Sequence, residues 1–135
     1  MVDLVAIAKA TACAAATFAV LDGLWLGLLM SSFYRTQLAP IARLANGGFA
    51  PLWTPALLVY LLLSLGTAVF VVPRASSPLA ALAFGALFGL VSFGVYDLTN
   101  YATLAAWPRV VVLVDMAWGA FACGVAAAVT YTVVR

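Results

Sequence analysis

Few residues in this chain are able to do chemistry, and the strongest of them are three aspartates: Asp22 in "LDGLWLG", Asp97 in "YDLTNY" and Asp115 in "VDMAWG". Each lies in continuous apolar sequence, where an ionised carboxylate at mid-bilayer costs about 2.5 to 3.5 kcal/mol on insertion scales. Intramembrane carboxylates of this kind mark ligand or ion pathways, proton relays and counter-ions. Asp22 and Asp115 each have a tryptophan three residues on, Trp25 and Trp118, so an indole N–H donor stands one turn from a carboxylate in both phrases. Asp97 has Tyr96 beside it, with Asn100 and Tyr101 on its own helical face at i+3 and i+4.

The elements that position these residues follow from composition. Of 135 residues, 67% are hydrophobic and 7% charged, with a mean hydropathy of +1.20; ordinary soluble domains are about 25% charged. About 20 apolar residues span a bilayer as a helix, because only a helix satisfies its own backbone there. Four such segments are expected, at about 4–30, 52–72, 79–104 and 110–134, with an interfacial loop over 31–51. Prolines 51, 55, 73, 78 and 108 punctuate their ends. The expected fold is all-α, a polytopic membrane protein with four transmembrane helices in a compact bundle and both termini on one side. No signal peptide is expected, since no basic run opens the chain.

Helix geometry then groups the acids. Asp22 lies nine residues before Ser31, Asp97 ten before Trp107 and Asp115 seven after Pro108. At 1.5 Å per residue, all three are roughly 10 to 15 Å below the same surface. Tyr60, at similar depth, begins a polar stripe with Ser64 and Thr67 on the second helix. The candidate ligand or proton site is therefore Asp22, Asp97, Asp115, Asn100, Tyr60, Trp25, Trp118, Tyr96 and Tyr101. With no cation placed beside the layer by spacing, at least one carboxyl is expected to hold a proton, since burial and like charge disfavour the ionised form. Arg109 and Arg35 are candidates to reach it. Interhelical glue is the plainer reading of Ser92, Thr99 and Asn100, with each bond worth about 0.6 to 2 kcal/mol; three carboxylates are more than glue requires.

The rest of the chain narrows the chemistry. Two isolated cysteines, Cys13 and Cys123, without any histidine give no metal-ligand spacing and no redox pair, so neither a metal nor a cofactor is expected. The net charge of +2 is scattered, with no basic patch for nucleic acid. Lys9, Arg74 and Arg135 fall on the side of the termini, and Arg35, Arg43 and Arg109 on the other. Discounting Lys9, which lies inside its helix, assigns the long-loop side to the cytoplasm. Within the loop, Phe33, Tyr34 and the arginines suit an interfacial helix broken at Pro40, while Trp53 and Trp107 suit interface anchors. Small residues recur at Gly23 and Gly27 and at Ala81, Gly85 and Gly89, a spacing that brings helix backbones close within one chain or between two copies.

The set "LDGLWLG", "FY", "YDLTNYATLAAWP" and "VDMAWG" resembles the small bacterial membrane-protein family termed domain of unknown function 2177, over essentially the whole chain. The resemblance implies four membrane helices, the bacterial inner membrane as the location, and signature positions at Asp22, Trp25, Tyr96, Asp97, Thr99, Asn100, Trp107, Asp115 and Trp118. It implies no activity.

Three function classes stay open. A small transporter or proton-linked binder of a cationic or amphiphilic molecule suits a protonatable layer lined by indoles. An accessory or assembly subunit of a larger membrane complex would use the layer as glue. A membrane enzyme acting on a lipid or isoprenoid would use one Asp as general acid or base; the absence of His, of Glu and of a D-x-x-D or phosphate-cradling loop weighs against it. The expected partners are membrane lipid, an unidentified small molecule, and a second copy or a larger complex.

Overall fold

A computed structural model describes residues 3–135 of the chain. Among the described residues, four helices are long and apolar enough to cross a membrane: Leu4–Leu29, Trp53–Arg74, Pro78–Thr103 and Arg109–Val134. The first comprises α1 (Leu4–Leu24) and a π-helical turn at Trp25–Leu29. The second comprises α3 (Trp53–Gly66), a π-helical turn at Thr67–Val71 and a 3₁₀ turn at Val72–Arg74. The third and fourth are α4 (Pro78–Thr103) and α5 (Arg109–Val134). Their starts are chemically defined. Asp3 accepts the Val5 and Ala6 amides at 3.0 and 3.1 Å, which caps α1. Ser77 accepts the Ala80 amide at 3.1 Å, with Pro78 at the first helical position of α4.

Backbone proximity, more than side-chain bulk, holds the bundle together. Gly85 and Gly89 of α4 press on α5, where a Cβ added at Gly85 would stand 2.5 Å from the Cys123 carbonyl and 2.6 Å from Ala127 Cβ. The small-residue spacing of α4 is thus used inside the chain. The α1 pair behaves differently: a Cβ at Gly23 or Gly27 meets nothing within 4 Å. The buried core is correspondingly small, with Ala14, Phe18, Ala122, Cys123 and Ala126 in its main cluster. Leu28, Leu79 and Val133 are 74%, 74% and 68% exposed. This inversion of the soluble pattern is expected where the surroundings are hydrocarbon, since lipid offers no reason to hide leucine and close packing favours small residues.

The segment between the first two spans departs from a single interfacial stretch. A short helix, α2 (Ser31–Leu38), is followed by a hairpin of β1 (Leu44–Ala45) and β2 (Gly48–Phe49). The turn is Asn46-Gly47, with φ of 51° and 77°, the left-handed pair that a tight hairpin requires. The Arg35 guanidinium donates to the Gly47 carbonyl at 2.5 Å, tying α2 to the hairpin.

Candidate functional site

The two Asp-x-x-Trp phrases meet across the α1–α5 contact, and their geometry follows from direction. α1 and α5 run antiparallel, so an identical spacing on each helix puts the tryptophan of one at the depth of the aspartate of the other. The Trp118 indole N–H accordingly donates to Asp22 Oδ1 at 2.7 Å, from helix to helix. Trp25 does not reach Asp115 directly. Its N–H donates to the Tyr34 hydroxyl at 3.1 Å, and that hydroxyl donates in turn to Asp115 Oδ1. The two indoles stack between these bonds with centroids 4.3 Å apart and planes 2° from parallel. Each tryptophan therefore serves the acid of the opposite helix, instead of the acid one turn away on its own. Trp25 also opens the π-helical turn of the first span, a distortion that recurs at functional sites because the extra residue re-aims a side chain.

Tyr34 joins the site, although its sequence context placed it at the membrane interface. It is buried at 4% exposure, and burial together with its bond to Asp115 pushes its phenol above the ordinary range. No local signal marks it, since a short polar helix that follows a span reads as interfacial. Tyr60 stands beside Asp22, as its depth implied. Ser64 and Thr67, the continuation of the Tyr60 stripe, are fully buried; the Thr67 hydroxyl donates to the Leu63 carbonyl at 2.9 Å, while Ser64 Oγ has no partner. Thr130 on α5 is likewise buried with its hydroxyl unpartnered, a position no spacing argument singled out.

Asp97 is the outlier of the layer. It has no exposed surface, and neither carboxylate oxygen makes a hydrogen bond. Asp115 and Trp107 stand beside it, and the Trp107 N–H is itself buried without a partner. Trp107 thus contributes a donor edge to the site as well as marking the helix end; its ring also packs edge-on against Tyr96 at 5.7 Å. Among the described residues, no lysine or arginine acts on Asp22, Asp97 or Asp115. Arg35 is committed to Gly47, and Arg109 is exposed. The arrangement is a buried acidic centre with unpartnered acceptors at Asp97 and, among the described residues, no cation beside it.

The remaining candidates sit further out. Asn100 is half-buried beside Tyr96. Tyr96 is 56% exposed and Tyr101 48% exposed, so Tyr101 is not brought to the acids despite sharing their helical face in the sequence. An apolar groove of about 450 Å³ runs along the outer side of the indole stack, lined by Trp25, Met30, Val114, Ala117, Trp118 and Phe121.

No curated protein and no solved structure matches the chain. A family model described as "Predicted membrane protein (DUF2177)" matches residues 7–132, the stretch that holds all four spans except their outermost turns, together with every residue of the site. The chain therefore belongs to this family of membrane proteins.

Proposed function

We propose that this protein is a proton-linked binder, and a small transporter, of an organic cation. One observation carries the reading: Asp97 is completely buried beside Asp115, with both oxygens unpartnered and, among the described residues, no cation in reach. A buried carboxylate without a hydrogen bond is costly, on the order of several kcal/mol when ionised. A structural acid would be expected to have found a donor, as Asp22 has in Trp118. Without a cation, one of Asp97 and Asp115 holds a proton, which removes the like-charge repulsion. An entering cation displaces that proton and supplies the missing charge, while the indoles offer π faces to an alkylated ammonium.

The test uses tetramethylammonium as the probe and the purified full chain in nanodiscs of neutral lipid. Affinity is expected to rise with pH, because the proton and the cation compete, and to fall at least 100-fold in Asp97→Asn. Binding that is independent of pH, or equal in wild type and Asp97→Asn, would contradict the proposal. An accessory subunit using the acids only as glue would show neither effect.

A further inference from the structure

Most hydroxyls on the membrane helices are tied to their own backbone. Thr11, Thr17, Thr67, Thr103 and Thr132 each donate to the carbonyl four residues earlier, the bond that keeps a hydroxyl satisfied on a helix. Ser64 and Thr130 do not: both lack any exposed surface, and neither hydroxyl has a partner. The two stand over one cavity. It has a volume of about 540 Å³ at the end of the bundle opposite the hairpin, with the exposed Asp3, Lys9 and Arg135 and the buried Ala10 and Ala68 in its lining. On the second span, Ser64 precedes Ala68 by one turn and Val72 by two; on α5, Thr130 precedes Val133 and Val134 by one turn. All four of those residues line the cavity, so each unpartnered hydroxyl lies on a helix face that runs down into it.

Further hydroxyls continue inward from the cavity to the acids. Counted from Arg74 and Arg135 at the ends of their helices, Thr130 lies five residues in, Thr67 seven, Ser64 ten and Tyr60 fourteen. These are depths of roughly 8, 11, 15 and 21 Å at 1.5 Å per residue. The π-helical turn that Thr67 opens packs against both α1 and α5, and Tyr60 stands beside Asp22. A hydroxyl both donates and accepts, and a water between two of them finds polar partners at each end.

We propose that Tyr60, Ser64, Thr67 and Thr130, with bridging water, form a proton path from Asp22 to the surface opposite the hairpin, and that the cavity is its outer vestibule. Along the path each oxygen accepts a proton on a lone pair and passes its own onward, so no hydroxyl is consumed. The assignment rests on the proton-linked reading and gives the proton displaced from Asp97 and Asp115 a side of exit. Asp115 and Asp22 are close enough for their charges to act on one another, which joins the layer to the path. Asp22 is faced by the Trp118 indole and Cys123 from α5, by Tyr60 from the second span and by Asp115. Among the described residues, none of these is a cation that would repel a passing proton.

The experiment places the full chain in vesicles of neutral lipid that hold a pH-sensitive dye and follows the proton flux driven by a tetramethylammonium gradient. Binding of tetramethylammonium is measured separately in nanodiscs. Ser64→Ala and Thr130→Val should each cut the flux about tenfold, the effect of one lost hydrogen-bonding station, while binding stays within about twofold of wild type. Their thermal midpoints should equal that of wild type or exceed it, because only an unpartnered buried oxygen is removed. Thr130→Ser keeps the hydroxyl and should carry protons as wild type does. Wild-type flux in both Ser64→Ala and Thr130→Val would overturn the path while the organic-cation reading stands. Flux lost equally in Thr130→Ser and Thr130→Val would make Thr130 a packing residue and overturn the path as well. If wild type binds tetramethylammonium but passes no protons, the path alone fails; if it does not bind, the proton-linked reading fails and the path falls with it.

Discussion

Asp22 and Asp97 lie in the same layer of the same bundle, yet their surroundings are opposed. Asp22 receives an indole N–H from α5 and has a tyrosine beside it; Asp97, more deeply buried, receives nothing. Asp115 falls between them, with the Tyr34 hydroxyl on one oxygen and Asp97 as a neighbour. The difference separates two uses of an intramembrane carboxylate. One is a bonded component of the helix–helix contact, and the other is an acceptor held open. A protein that needed only glue would gain by giving Asp97 the donor it lacks, and the Trp107 N–H beside it, equally unpartnered, shows that a donor was at hand.

The sharpest way to break this comparison is to neutralise the two acids one at a time. Asp97→Asn should abolish cation binding, by at least 100-fold, with a thermal midpoint equal to wild type or higher, because no bond is lost. A fall of several degrees in detergent would make Asp97 a structural acid. Tyr34→Phe comes next, since it removes the acceptor of Trp25 and the donor to Asp115 together. It should cost about 1 to 3 kcal/mol of stability, read by thermal unfolding, and weaken cation binding about tenfold by unfixing Asp115. Trp118→Phe keeps an aromatic ring but removes the N–H to Asp22 and part of the stacked area on Trp25, so it should cost about 1 to 3 kcal/mol with binding of tetramethylammonium nearly intact. Loss of binding as large as that of Asp97→Asn would place the site at Asp22 instead. Tyr101→Phe, on the outer surface, should change stability by under about 0.5 kcal/mol and leave binding unaltered.

The span pattern was legible because a bilayer imposes one length and one backbone solution on any apolar segment, and prolines marked the ends. Depth was legible for the same reason, and spacing alone puts Asp22, Asp97, Asp115 and Tyr60 in one layer. Rotation about each helix axis was not. Tyr101 shares a helical face with Asp97 by spacing, but it lies a turn nearer the helix end and emerges half exposed. The cross-pairing of the two Asp-x-x-Trp phrases depends on α1 and α5 being neighbours, which no local pattern encodes. Tyr34 was missed because a short polar helix after a span looks interfacial, and only tertiary contact turns one of its faces inward. The hairpin was missed as well, although Asn46-Gly47 is a turn dipeptide, because the loop reads as an interfacial helix.

The account turns on whether the open carboxylate of Asp97 exchanges a proton for a cation. Isothermal titration of tetramethylammonium into the full chain in nanodiscs, repeated in two buffers of different ionisation enthalpy, counts the protons released per cation bound. Between half and one proton is expected from the wild type near neutral pH, and none from Asp97→Asn at any concentration that still shows binding. Binding by the wild type with no proton released, or the same release from Asp97→Asn, would contradict the account.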